Sequence, residues 1–183
     1  RVVLPDLAID NEETLALGGM HFRIHHSGLA HTDGDIMIEA VEENVLFMGD
    51  NIVAERAARL DDGNYAGNIA ACEAALKTGA RQFVPGHGKT GGREVVTAYR
   101  DWLKALYGSV KENYSRGMSD FEMKDKVVTD LKPYRKWALF DSEIGLTTRS
   151  GGGSETAYVS VVAATDNEEF FSGEHEFYCW QRL

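Results

Sequence analysis

The hydrophobic period of this chain changes partway along, and that change limits its fold more than any other feature. In "MHFRIHH", residues 20–26, alternation sets Met20, Phe22 and Ile24 on one side and His21, Arg23 and His25 on the other. A period of two belongs to a strand. The run "DIMIEAVEENVLFMGD" continues it as a hairpin, with strands near 35–41 and 45–48 and a polar turn at Glu42, Glu43 and Asn44. From residue 64 the spacing becomes helical. A helix is predicted over 64–78, with Ile69, Cys72, Ala75 and Leu76 on its buried stripe and Gly79 as its stop. A short strand in "RQFVPGHG" ends at Pro85, and a long helix follows from about 92 to 115 through Val95, Tyr99, Trp102, Leu106, Val110 and Tyr114. Another runs over about 119–131, with Ser119 as its N-cap.

Strands, hairpin, helix, strand and helices in that order describe an α/β chain, one mainly antiparallel or mixed sheet covered by helices. Residues 1–91 are expected to form the sheet and its loops, and 92–183 a mostly helical tail. Residues 1–28 read as extended, broken at Pro5. In the tail, "SGGGSE" reads as a loop and "TAYVSVVAATDNEEFF" as a helix. At 183 residues one domain, or a large piece of one, is expected.

Composition removes some function classes. A formal charge of −10 argues against binding nucleic acid, which needs clustered Lys and Arg, and against anionic membrane surfaces. No apolar run approaches the roughly 20 residues of a membrane span. The two cysteines, Cys72 and Cys179, lie far apart and fit neither a disulfide framework nor a metal motif. Cys72 is expected to be a buried thiol in its alanine-rich helix. Tyr99, Trp102 and Tyr107 are expected in the core or at an interface rather than against substrate.

The chemistry lies in a pattern that occurs three times. A short apolar run ends in a glycine-containing turn, and a metal-competent side chain sits on that turn: His31 in "AHTDGD", Asp50 in "VLFMGD" and His87 in "FVPGHG". Glycine lets the backbone turn tightly and come close to a bound group, while the preceding strand holds the turn stiffly. Imidazoles with a carboxylate suit zinc, manganese or iron better than calcium or magnesium, which favour all-oxygen shells. Asp33, before Gly34, has an adequate role as a turn residue, and Asp35 as a loop cap. His25 and His26 are explained as a strand end.

Together these motifs resemble the second half of a metallo-β-lactamase-superfamily hydrolase over about Pro5 to Gly92. "AHTDGD" is similar to that family's G/A-H-T-x-G, "VLFMGD" to its strand ending in G-D, and "FVPGHG" to its P-G-H-G. The intervals, 19 residues from His31 to Asp50 and 37 from there to His87, fit as well. The resemblance implies an αββα sandwich with a pair of zinc ions at one edge. His31 would then hold the first ion, His87 the second, and Asp50 would lie between them. It implies attack by a metal-activated water on an ester, thioester or amide of a small molecule.

One family motif is missing. H-x-H-x-D-H, which supplies most ligands to both metals, occurs nowhere in the sequence. Three candidate ligands are too few for two ions, because catalytic zinc alone takes three protein ligands. The chain also starts at Arg1 in an apolar run. The expectation is therefore the C-terminal half of a longer enzyme, inactive alone and partnered by the missing N-terminal half. Two other readings accompany it. One is a non-catalytic module that self-associates, as a homodimer, without holding metal tightly. The other is a di-iron redox member of the superfamily, disfavoured because no flavin-type glycine loop follows residue 92.

Overall fold

The computed structural model describes residues 12–57 and 63–144, together with residues 9 and 60. The expectations for "RVVLPDL", "SGGGSE", "TAYVSVVAATDNEEFF" and Cys179 lie outside the described residues.

Five strands form one sheet in chain order: β1 (Glu12–Leu17), β2 (Met20–His26), β3 (Ile36–Ala40), β4 (Val45–Phe47) and β5 (Gln82–Val84). β1 to β4 form an antiparallel meander. The β1–β2 turn is the Gly18-Gly19 pair, with φ of 61° and 82°, which allows the two-residue hairpin that right-twisted strands favour. The β3–β4 turn closes through the Asn44 N–H to the Val41 carbonyl (3.2 Å), with Asn44 at a φ of 56°. β5 joins β4 in parallel, and a parallel neighbour needs a long crossover. Helix α1 (Tyr65–Lys77) supplies it. Helices α2 (Arg93–Ser115), α3 (Asp120–Asp130) and the short α4 (Phe140–Glu143) follow.

Two helix starts are closed by side chains, that of α3 by the expected Ser119. Asn64 caps α1 by accepting from the Gly67 N–H at 2.8 Å. Ser119 caps α3 in a reciprocal box with Glu122, whose carboxylate accepts from the Ser119 N–H at 2.9 Å.

Helices α1 and α2 pack together over one face of the sheet, and α3 packs on α2. There Met37, Leu46 and Phe83 pack with Cys72 and Ala75 of α1, Val96, Tyr99, Trp102 and Leu103 of α2, and Val127 of α3. Cys72 is fully buried, and burial pushes its thiol up to about 12. It is a packing residue, as expected. Tyr99 and Trp102 are core residues, and Tyr107 packs half-buried against them.

Two details differ from the sequence reading. The buried stripe of α1 runs through Tyr65, Asn68, Ala71, Cys72 and Ala75, while Ile69 and Leu76 are half-buried. A polar residue has displaced the more apolar ones because its amide has partners inside. In the sheet, register puts His25, Arg23 and Glu39 on the helix side, beside Met37 and Leu46. Glu39 is buried there and accepts from Arg23 at 2.9 Å, while the His25 ring bonds Glu12 at 2.8 Å. The apolar set of β2 faces the other way. Leu15, Leu17, Phe22, Ile38 and Phe47 share that second face, with Leu17 at 72% and Phe47 at 48% exposure. Among the described residues no helix is long and apolar enough to cross a membrane.

Candidate metal centre

Strand direction decides where the three turns meet. β3 runs antiparallel to β4, and β5 runs parallel to it. The start of β3 and the ends of β4 and β5 therefore lie at one end of the sheet. His31 sits in the loop that enters β3, Asp50 in the 3₁₀ turn after β4 (Gly49–Asn51), and His87 in the turn after β5. Hairpin and crossover thus carry the three turns, up to 56 positions apart in sequence, to the same end of the sheet.

The Asp50 and His87 turns are tied through their backbones. The Gly86 N–H donates to the Gly49 carbonyl at 2.8 Å and to that of Ile52 at 3.1 Å. The Ala54 N–H donates to the His87 carbonyl at 2.8 Å. Gly86 is needed for this approach, since a Cβ there would overlap the Asp50 carboxylate and the Gly49 carbonyl. As a result His87 Nε2 lies 3.5 Å from Asp50 Oδ1. Both side chains are partly open to solvent, at 52% and 39% exposure, so an ion from solution could reach either.

The His31 loop rests on the start of α1. The Asn64 N–H donates to the Ala30 carbonyl at 2.8 Å. A Cβ at Gly63 would overlap the carbonyls of Ala30 and His31, and one at Gly67 would overlap that of Leu29. The loop is also braced internally. The His26 ring donates to the Asp33 carbonyl at 2.8 Å, and Thr32 donates to the Asp35 carboxylate. Asp35 thus has a structural partner, and the Asp33 backbone helps to hold the loop.

His31 does not complete a trio. Among the described residues no three His, Cys, Asp or Glu side chains stand close enough together to hold a metal ion. The structure brings Asp50 and His87 side by side and sets His31 on the neighbouring loop. His31 Nδ1 is nonetheless buried and has no hydrogen-bond partner among the described residues. An imidazole nitrogen shielded from water without a partner costs free energy, and metal-binding histidines need both ring nitrogens accounted for. The donor types and the orphaned nitrogen are of kinds that zinc takes, and the structure converges two of the three side chains.

Behind the site lies a set of buried amides that the motifs did not point to. Asn51, beside Asp50, is fully buried, and its Oδ1 accepts from the His31 N–H at 3.4 Å. Its carbonyl accepts from Asn68 Nδ2 on α1 at 2.9 Å. Asn68 Oδ1 accepts in turn from the Tyr99 hydroxyl on α2 at 3.3 Å. Burial, with neighbouring Cys72, Tyr65 and Asp50, pushes the Tyr99 phenol well above its usual range, so it remains a donor. The available clue was Asn68 itself, a polar residue in an alanine-rich run.

The sequence profile of the Metallo-beta-lactamase superfamily matches residues 2–107. Among solved structures, the chain is similar to a metallo-beta-lactamase from Pontibacter korlensis, at 21% identity and a TM-score of 0.51, over 55% of this chain and 49% of that one. It is also similar to the DIM-1 metallo-beta-lactamase, at 21% identity and a TM-score of 0.46, over 52% of this chain and 46% of that one. The chain thus spans about half the length of the solved structures it matches. No curated protein matches it.

Proposed function

This chain belongs to the metallo-beta-lactamase superfamily, and from that premise we propose that it supplies one part of the active site of a metal-dependent hydrolase. The observation that carries this reading is the 3.5 Å approach of His87 to Asp50 on two strand-end turns tied by backbone hydrogen bonds. Members of the superfamily commonly bind zinc. In this proposal His31, Asp50 and His87 hold zinc, and the remaining ligands come from the complementary half of the domain. Bound zinc would bring the pKa of a coordinated water near neutrality, making hydroxide available to attack an ester, thioester or amide.

This chain's own residues have narrower tasks. Asp50 offers a carboxylate fixed by a turn that is hydrogen-bonded on both sides. His87 offers a ring on a two-glycine turn, and Gly86 lets it come close to Asp50. His31 offers a ring whose backbone is held against Asn51 and α1. The substrate is a small molecule, and the apolar sheet face receives the other half of the domain.

That open face also favours a second reading. Leu15, Leu17, Ile36 and Phe47 are all exposed on it, and apolar patches of this kind mark interaction surfaces. A second copy of the chain could cover the face as well as a complementary half could. The chain would then be a self-associating module without tight metal.

One experiment tests both. The full chain is loaded with zinc and freed of excess, and zinc content and mass in solution are then measured. The hydrolase reading expects retained zinc, with Asp50→Ala and His87→Ala each weakening zinc at least about tenfold and Asp33→Asn leaving it unchanged. A dimer that retains no zinc, or zinc indifferent to both ligand changes, overturns it in favour of the second reading.

A further inference from the structure

We infer that Asn68 is a positioning residue for the metal-binding turns, holding the Asp50 turn in register with the His31 loop through the backbone of Asn51. The inference rests on the reading of Asp50 and His31 as ligands, and its mechanical part can be judged without metal.

An amide placed in an apolar helix stripe loses its hydration, and that loss is recovered only through hydrogen bonds with good geometry. Asn68 is fully buried beside Ala71 and Cys72 of α1, where a methyl or a thiol would be the cheaper occupant. Both ends of its amide are engaged. Nδ2 donates to the Asn51 carbonyl at 2.9 Å, and Oδ1 accepts from the Tyr99 hydroxyl at 3.3 Å. Tyr99 is itself buried on α2. The Asn51 carbonyl is therefore held directly from α1, and α2 braces it only through Asn68.

Asn51 is the joint between the turns. It follows Asp50 directly, its side chain reaches the His31 backbone, and the next residue, Ile52, accepts from Gly86 in the His87 turn. A shift of the Asn51 carbonyl would therefore be felt at all three candidate ligands. Outer partners of this type orient ligands without touching the metal, and their loss typically weakens metal binding by about 10- to 100-fold.

The test compares three variants of the full chain. Asn68→Leu removes the donor and the acceptor at similar volume. Tyr99→Phe removes one oxygen and keeps the ring, so it retains the fold if Asn68→Leu does not. Val127→Ala, in α3 and buried away from the turns, measures what a general loss of stability does. In metal-free protein, amide hydrogen exchange at Gly86 and Ala54 should quicken in Asn68→Leu at least about tenfold more than in Val127→Ala. Tyr99→Phe should show a smaller effect in the same direction. Zinc affinity, read by chelator competition, should fall about 10- to 100-fold in Asn68→Leu and stay unchanged in Val127→Ala. Exchange that merely follows global stability, or zinc affinity indifferent to Asn68, overturns the inference. If the unaltered chain takes up no zinc, the hydrolase reading fails, and the exchange comparison still decides whether Asn68 holds the turns.

Discussion

Gly67→Ala is expected to destabilise the chain by about 1–3 kcal/mol, although alanine is the better helix former. In an isolated α1 peptide the change should raise helicity. In the folded chain the new methyl would overlap the Leu29 carbonyl, and both groups belong to backbone that cannot move aside cheaply. Either the start of α1 or the loop carrying His31 must shift. Gly108, inside α2, is the control, because a Cβ there meets nothing within 4 Å. Gly108→Ala should add about 0.5–1 kcal/mol from helix propensity alone. Denaturant melts of the two variants should therefore move in opposite directions. A stabilised Gly67→Ala would mean that α1 does not seat on the His31 loop as described.

Trp102→Ala should cost about 3–5 kcal/mol, a large share of the 5–15 kcal/mol of a typical domain. Trp102 is 1% exposed, with ring centroids 5.2 Å from Tyr134, 5.5 Å from Trp137 and 5.9 Å from Phe140. It fastens the segment after α3 to the main core. That segment reaches back to the strand-end loops, since the Ala57 N–H donates to the Ala138 carbonyl at 2.9 Å. Loss of the indole would leave a cavity under both. Trp102→Phe should cost much less, because the indole Nε1 is buried with no partner among the described residues, so removing it forfeits no hydrogen bond. Thermal melts of the two variants give the comparison, and equal losses would rule out cavity formation as the main cost.

Much of the fold was legible because periodicity reports burial directly. The helix expected over 64–78 is found at Tyr65–Lys77, that over 92–115 at Arg93–Ser115, and that over 119–131 at Asp120–Asp130. Ser119 marks the start of α3 through the hydrogen bond that a capping side chain makes with its own helix. The hairpin around Glu42–Asn44 was legible for the same local reason. The sides of the sheet were not. Alternation in β2 separates Met20, Phe22 and Ile24 from Arg23 and His25, and it says nothing about which set meets the helices. The polar set does, because Glu39 and Glu12 on neighbouring strands give Arg23 and His25 partners there.

The types of the elements, the three glycine turns and the kinds of donor they carry were readable along the chain, because each depends on residues close together in it. That Asp50 and His87 stand 3.5 Å apart, with His31 one loop away, depends on the packing of distant segments. That follows from a parallel pairing of β4 with β5, made possible by an intervening helix. The tertiary structure alone also disclosed the amides behind the turns. The value of Asn68 lies in a carbonyl 17 residues earlier and a hydroxyl 31 residues later, and no local pattern records partners at such distances.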